Sequence, residues 1–358
     1  MNGATDAGAR ATSKLVAWLA RVDPGAHRRI KGVRLVVAYA LATAIGSWDG
    51  FARHAHTGVS VGALAATFAL WASVSDTRAT RADSSRDLAI LCTAGAFGAL
   101  TFASFGPWLG EHSRASAEVI LVTGAFCAGY LKRFGMLGAG IGSQLFIGQL
   151  AAYTMRIGSA NTSTIALALL IAWVAAIVPR LLTATMERAA DWPAFDAAAV
   201  RGRHAVSPAW AMGVQAASGA LVVVLLNGAF ALTESVWAIT ACVYVVAASS
   251  TGTAERVRRR ICGTLVGVPV ALACLPLAEH LPLVAWAMAA LAMVVYAMAL
   301  PDRYDVACGA VAFALVVTLA ASGVHSIPVL AARAWETLIG GTLGFVCAKL
   351  IFPLNAGR

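Results

Sequence analysis

The positively charged residues of this chain are sorted into alternate gaps between a dozen long apolar stretches. Of the 27 Lys and Arg residues, 23 fall in the odd-numbered gaps and tails; the others are Arg53, Arg114, Arg156 and Arg333. Lysine and arginine near the end of a membrane-spanning helix hold that end on the cytoplasmic side. The alternation therefore predicts a polytopic membrane protein with both termini in the cytoplasm.

Composition supports the same fold class. Only 12% of the residues are charged and 59% are hydrophobic, whereas a soluble domain carries about a quarter of its residues as charged groups. A spanning helix needs about 20 apolar residues, so twelve spans use nearly all of the 358 residues. We predict an all-α protein with spans at 33–48, 57–75, 88–106, 115–131, 135–154, 162–182, 209–231, 235–250, 260–278, 281–300, 304–321 and 333–352.

A polar segment at 184–207 divides the chain and predicts a cytoplasmic linker between six-helix repeats at 33–183 and 208–353. In each half a basic gap follows the second helix, the third helix is glycine-rich and the sixth ends at a proline, which indicates an internal repeat. Because six is even, both halves enter the membrane in the same orientation and form a parallel pseudo-dimer. Residues 354–358 form a short cytoplasmic tail.

The N-terminal segment 1–32 is predicted to be a cytoplasmic tail, without the apolar core and cleavage site of a signal peptide. Leu15, Trp18, Leu19 and Val22 fall on one helical face. That spacing fits a short helix in the inner membrane interface, and a frayed tail is the alternative.

Four G-x-x-x-G pairs predict close helix packing, because glycine lets helix backbones approach each other. The pairs are Gly58 with Gly62, Gly138 with Gly142, Gly263 with Gly267, and Gly340 with Gly344. The seven cysteines are isolated in apolar stretches and are interpreted as packing residues.

Several function classes lack their sequence signatures. The chain has no G-x-S-x-G, H-E-x-x-H or Walker A motif, so we predict neither an enzyme nor an ATP-driven pump acting alone, and no cofactor or metal. The net charge of +10 lies in short loops, where it orients helices and contacts anionic lipid rather than nucleic acid.

Two stretches of the second half resemble the fusaric acid resistance family, also called aromatic acid exporters. The first runs from Val236-Trp237-Ala238 through Ser249–Gly252 to Arg258–Gly267, and the second from Arg333 to Gly344 and Pro353. The first half is similar more loosely, through Arg86, Gly95 and Pro179. Aluminium-activated malate transporters, dimers of six-helix subunits, are more distantly similar.

The resemblance implies a multi-pass transporter in the bacterial inner membrane that exports aromatic or other organic acids, driven by the proton gradient. A passive anion channel of the same pseudo-dimeric architecture is the alternative. Many family members carry a large cytoplasmic domain between the halves, where this chain has only the linker. Membrane lipid and a small organic acid are the expected partners; a periplasmic adaptor or outer-membrane partner and the oligomeric state stay open.

Ionisable and amide groups inside spans are the residues predicted to line a substrate path, because burying them is costly. Arg333 and Arg156 precede or open the last helix of their halves, and a guanidinium matches the two oxygens of a carboxylate. The other candidates are Glu336, Gln144, Gln149, Tyr153, Gln215 and Asn227. The alternatives are an Arg333–Glu336 pair that neutralises itself, arginines that reach the outer interface, and polar side chains that only join helices.

Proton coupling requires a carboxylate that titrates when desolvated. The candidates are Glu234, Asp305, Glu118 and Glu336. The densest basic cluster is Arg256, Arg258, Arg259 and Arg260, predicted to lie in a cytoplasmic gap. It is either a topology anchor on lipid headgroups or a vestibule that concentrates anionic substrate.

Overall fold

A computed structural model describes Asp23 and the segments 26–48, 59–76, 80–111, 114–183, 207–232, 235–300, 302–324 and 326–354. All regular secondary structure in these segments is helical. The predicted interfacial helix, most of the linker, Arg53, Gly58 and Glu234 lie outside the described residues. Six described segments are long and apolar enough to cross a membrane, which agrees with a multi-pass membrane protein.

Thirteen α-helices are described, together with short 3-10 turns at Leu131–Phe134 and Ser159–Asn161. In the first half they are α1 His27–Gly46, α2 Val61–Ser75, α3 Arg81–Gly110, α4 Arg114–Tyr130, α5 Gly135–Thr154 and α6 Thr162–Thr183. In the second half they are α7 Pro208–Phe230, α8 Ser235–Val245, α9 Ser250–Ala273, the single-turn α10 Leu275–His280, α11 Pro282–Ala299, α12 Tyr304–Ala321 and α13 Ile327–Leu350.

The helix limits agree with the predicted spans at α5 and α12 and differ most at α9 and α3, while α8 is shorter than predicted. α8 ends at Val245 instead of residue 250, and α9 begins at Ser250 instead of residue 260. The hydroxyl of Ser249 starts α9 by accepting a hydrogen bond from the Gly252 N–H at 3.1 Å. Arg256, Arg258, Arg259 and Arg260, predicted to lie between two spans, therefore lie on α9.

Backbone contact at glycines joins α3 to α5 in the first half and α9 to α12 in the second. In the first half, a Cβ at Gly148 would overlap the carbonyl oxygen of Gly95, so α3 and α5 touch there. In the second half, a Cβ at Gly267 would overlap the carbonyl oxygen of Gly309, and one at Gly263 that of Asp305. Substitution of Gly263 or Gly267 would force α9 away from α12.

The remaining glycines of the predicted pairs have different neighbours. Gly62 packs against Gly46 and joins α2 to α1, while Gly142 packs against the α4 backbone at Cys127. Gly138 contacts the preceding turn at Leu131 and Phe134. Gly340 and Gly344 both face α8, so α8 and α13 run side by side along this seam.

The two halves meet along two helix pairs. α4 packs against α7, and α1 packs against α11. If the single-turn α10 is left out of the count, the fourth helix of each half contacts the first helix of the other. At the α4–α7 contact the backbones approach closely, since a Cβ at Gly129 would lie 2.6 Å from Gly213 Cα. The α4–α7 contact brings polar residues of both halves together.

A buried ion pair fixes the ends of three helices in the first half. Arg180 of α6 lies 3.6 Å from Asp76, which follows α2. Ser84 of α3 bridges them, accepting from Arg180 Nε at 2.9 Å and donating to Asp76 Oδ2 at 2.7 Å. Although the sequence placed Arg180 at the cytoplasmic end of a span, its side chain is buried.

Replacing Arg180 with glutamine should destabilise the protein strongly, because the buried Asp76 carboxylate would lose the guanidinium that pairs with it. Breaking a buried pair in this way costs about 3–5 kcal/mol. We expect thermal unfolding in detergent to begin several degrees lower for Arg180→Gln. Arg258→Gln, which removes an exposed arginine paired with Glu255, should leave the transition nearly unchanged; equal shifts for both variants would contradict the assignment.

Candidate functional site

The start of α8 is the point on which the polar residues of the interior converge. α8 has only 11 residues, which span about 16 Å at the α-helical rise, about half the thickness of a bilayer core. Ala238 of α8 lies against Gly340, in the middle of α13. The first turn of α8 is thus buried in protein, with Ser235, Val236 and Ala238 all nearly inaccessible to solvent.

Arg333 of α13 and Trp237 of α8 form the first part of this site. The Arg333 Cζ atom lies 4.2 Å from the centre of the Trp237 ring, a cation–π distance. Arg333 is only 6% exposed, and its Nε and Nη1 atoms are buried without a hydrogen-bond partner in the described part of the chain. A strong, planar pair of donors is therefore held beside an aromatic face.

Arg260 of α9 is the second buried cation. It is 8% exposed, and its Nη1 donates a hydrogen bond to the Tyr304 hydroxyl of α12 at 3.3 Å. Its Nε has no hydrogen-bond partner among the described residues. The Arg260 and Arg333 charges repel each other, whereas Glu336, one turn beyond Arg333, attracts it. We call Arg260, Arg333, Trp237 and Tyr304 the arginine site.

The chemistry of the arginine site suits an organic anion. Two buried guanidinium groups with unused N–H donors favour a carboxylate, since such charge-assisted hydrogen bonds are the stronger kind. Glu336 supplies one compensating charge, so the two guanidinium groups keep a net positive charge for an anion. The Trp237 and Tyr304 rings offer apolar surface for the rest of such a ligand.

Glu118 of α4 is the centre of a second cluster, at the contact between the halves. It is fully buried. Its Oε1 atom accepts hydrogen bonds from the Tyr153 hydroxyl at 2.5 Å, Asn227 Nδ2 at 2.9 Å and the Ser235 hydroxyl at 2.6 Å. Its Oε2 atom is buried without a hydrogen-bond partner in the described segments. We call these four residues the Glu118 cluster.

The structure thus brings together residues that the sequence nominated for different roles. Glu118 was a proton-coupling candidate, and Tyr153 and Asn227 were substrate-path candidates. They come from α4, α5 and α7, and Ser235 begins α8. Hydrogen bonds to one carboxylate oxygen thus join four helices, α4 and α5 before the linker and α7 and α8 after it.

The other amide candidates lie apart from both clusters. Gln149 donates to Thr123 at 3.1 Å and to Thr101 at 3.3 Å, so it joins α5 to α4 and α3. Gln144 is buried in the first half with neither amide atom hydrogen-bonded in the described structure. Gln215 of α7 donates to carbonyl groups at the end of α13, including Ile351 at 2.9 Å, and so anchors that end.

Arg156 and Asp305 are also separate from the arginine site. Arg156 is exposed in the turn after α5, with a φ of 55°, and no hydrogen bond among the described residues links it to Arg333. Asp305 begins α12 and receives two hydrogen bonds from Arg303, at 3.1 and 3.2 Å.

The basic run on α9 divides into an outer and an inner part. Arg258 and Arg259 pair with Glu255, and these hydrogen bonds, the one from Arg258 first, hold the pKa of Glu255 below its ordinary value. Arg256 donates to the Val246 carbonyl at the end of α8 at 3.3 Å. Only Arg260, the last of the run, turns into the protein.

Sequence reasoning missed Trp237, Tyr304 and Ser235 as members of these clusters. Trp237 did stand in the stretch that carried the family resemblance, and Tyr304 begins a predicted span one residue before Asp305. An aromatic residue at a helix end is usually assigned to the membrane interface, so neither carried a distinct signal. Ser235 carried none.

The fold and these buried charges define a multi-pass helical membrane protein with an ionisable interior. Residues 216–347 match the family model described as fusaric acid resistance protein-like. This match confirms the resemblance to the fusaric acid resistance family, and it indicates a membrane transporter or efflux role. No curated protein and no solved structure matches the chain. The matched region contains the whole arginine site, while Glu118 lies outside it.

Proposed function

We propose that this protein is an inner-membrane transporter that exports organic acids, above all aromatic carboxylates, without enzymatic chemistry or a bound cofactor. The carboxylate binds between Arg333 and Arg260, and Trp237 packs against the organic part of the molecule. The observation that carries the proposal is the buried Arg333 guanidinium, with unused donors against the Trp237 ring and a second buried guanidinium, Arg260, close enough to repel it.

The architecture we propose is two parallel six-helix repeats, twelve spans in all, with both termini in the cytoplasm. The reciprocal contacts of α4 with α7 and of α1 with α11 support this pseudo-dimer, as do the glycine contacts of α3 with α5 and of α9 with α12. In this orientation Trp237 and Arg333 lie toward the outer ends of α8 and α13, and we propose that the anion leaves the arginine site on that side.

Proteoliposome flux tests the transport function directly. We expect purified protein to move benzoate and related aromatic acids faster than protein-free vesicles do, with aliphatic dicarboxylates as the comparison. With an imposed pH gradient, an exporter accumulates the acid against its own gradient, and a protonophore abolishes that accumulation. The absence of flux for every acid in the panel would contradict the proposal.

The same measurement separates the exporter from the channel alternative. A passive anion channel only dissipates an existing gradient of the acid, and a protonophore leaves its rate unchanged at a clamped membrane potential. Accumulation that follows the pH gradient would therefore exclude the channel. Dissipation without accumulation would favour it, with the arginine site lining the pathway.

A further inference from the structure

The first turn of α8 connects the Glu118 cluster to the arginine site within three residues. Ser235 donates its hydroxyl to Glu118 Oε1 at 2.6 Å, and Trp237, two residues later, packs against Arg333. Ser235 is the first residue of α8, and the N–H groups of a first helical turn have no partner within the helix. The bond to Glu118 is therefore one of the contacts that position this turn, beside the packing of Ala238 on Gly340, and a displacement of Ser235 is transmitted to Trp237.

The two oxygens of Glu118 have different surroundings. Oε1 accepts all three hydrogen bonds of the cluster, and Oε2 is buried without a partner among the described residues. A proton can therefore bind at Oε2 while the three donors stay in place. It would convert Oε1 from a carboxylate oxygen into a carbonyl oxygen, and hydrogen bonds to neutral acceptors are about half as strong as those to charged ones.

Few ionisable groups surround Glu118. From α5 the contact is Tyr153, and from α7 and α8 the contacts are Asn227 and Ser235, which do not titrate. The exposed Glu111 follows α3, near the first turn of α4. Arg114 begins α4 and Glu234 precedes Ser235; both side chains lie outside the described part of the chain.

We infer that Glu118 is a proton-binding site whose occupancy sets the affinity of the arginine site for its anion through the turn Ser235–Val236–Trp237. The inference rests on the proposed function for the identity of the anion. With Glu118 ionised, the turn is held and Trp237 stays against Arg333. A proton from the outer solution binds Oε2, weakens the Ser235 bond and loosens the turn, so the anion leaves.

Proton binding at Glu118 and anion binding at the arginine site are thermodynamically linked. If protonation of Glu118 weakens anion binding by some factor, anion binding disfavours protonation by the same factor. Glu118 begins α4 and Asn227 lies near the end of α7, ends that the charge pattern assigns to the outer side. Inward proton movement is thereby coupled to outward release of the anion.

Infrared difference spectroscopy tests proton binding without any substrate. Lowering the pH of the purified wild-type protein should produce the carbonyl stretching band of a buried carboxylic acid. The band should be missing in Glu118→Gln, which keeps an acceptor oxygen but cannot titrate, and should persist in Glu111→Gln, the exposed control. A band that survives in Glu118→Gln would overturn the assignment of the proton site.

Tryptophan emission tests the connection, again without substrate. The difference between wild type and Trp237→Phe isolates Trp237, and we expect its emission to change with pH. The change should vanish in Glu118→Gln and in Ser235→Ala and return in Ser235→Thr, which restores the hydroxyl. Emission that follows pH equally in Glu118→Gln would overturn the coupling.

Benzoate binding then joins the proton site to the proposed function. Between about pH 8 and pH 5.5, where a simple carboxylate stays ionised, wild-type affinity should fall by about 5-fold to 150-fold, the usual range of coupling. Glu118→Gln should bind with one affinity throughout; a fall as large as in the wild type would overturn the inference. If benzoate binds no variant while Trp237 still follows Glu118, the proposed anion function fails and the proton switch stands.

Discussion

Arg333→Gln should abolish anion binding and transport while the protein still folds and inserts. The variant keeps a hydrogen-bonding side chain but removes one of the two positive charges of the arginine site. Truncating one partner of a buried, charged hydrogen-bonded pair costs about 2–5 kcal/mol. That corresponds to roughly 30-fold to several-thousand-fold weaker binding. Benzoate flux in proteoliposomes and binding to the purified protein both measure it.

The stability of the same variants separates a binding role from a structural one. If Arg333 served only to neutralise Glu336, Arg333→Gln would unfold at a clearly lower temperature, because Glu336 would keep an uncompensated buried charge. The double variant Arg333→Gln/Glu336→Gln removes both charges, and we expect it to unfold near the wild-type temperature yet bind no benzoate. Recovery of binding in the double variant would contradict the binding role.

Two further arginine variants sharpen this result. Arg333→Lys keeps the charge but loses the planar pair of donors that fits a carboxylate, so we expect it to retain only part of the affinity. Arg156→Gln removes an exposed arginine of the same type and should transport at the wild-type rate. A loss with Arg156→Gln as large as with Arg333→Gln would restore the symmetric two-arginine arrangement that the sequence suggested.

The helices themselves were largely predictable from the sequence, because hydropathy and charge act locally. The limits of α5 and α12 coincide with the predicted spans. The error at α9 has a physical cause: a charged helical extension has the same composition as a loop. Four arginines near its start lowered the hydropathy there, although Ser249 had already begun the helix.

The clusters could not be predicted in the same way, because they depend on contacts between distant parts of the chain. Arg333 and Trp237 are 96 residues apart, and Ser235 and Glu118 are 117 residues apart. Hydropathy nominated Arg333 and Glu118 individually, since ionisable groups inside apolar stretches stand out. It could not pair Arg260 with Arg333, or distinguish Gln149, which joins helices, from Asn227, which contacts Glu118.

Gly340→Ala should destabilise the protein and disrupt the arginine site, whereas its neighbour Gly341→Ala should be tolerated. A Cβ at Gly340 would overlap the carbonyl oxygen of Ala238 in α8, and a backbone contact cannot be relieved by a rotamer change. A Cβ at Gly341 would meet Ile261 and Val257 side chains of α9 at 3.7 Å, an ordinary van der Waals distance.

The two variants form a matched pair, since both replace glycine by alanine at adjacent positions of one helix. The change in helix propensity favours alanine by about 1 kcal/mol at each. At Gly340 this gain is offset by overpacking, which costs typically about 1–3 kcal/mol and occasionally more. Thermal unfolding in detergent should therefore rank Gly341→Ala at or above wild type and Gly340→Ala below it.

The position of Gly340 makes its effect on function larger than its effect on stability. Ala238 follows Trp237 directly, so moving α8 away from α13 at Gly340 also moves Trp237 away from Arg333. We expect Gly340→Ala protein that does fold to lose benzoate binding, with the Trp237 emission shifted toward that of a solvated indole. Wild-type binding in folded Gly340→Ala would show that the anion does not depend on the contact between α8 and α13.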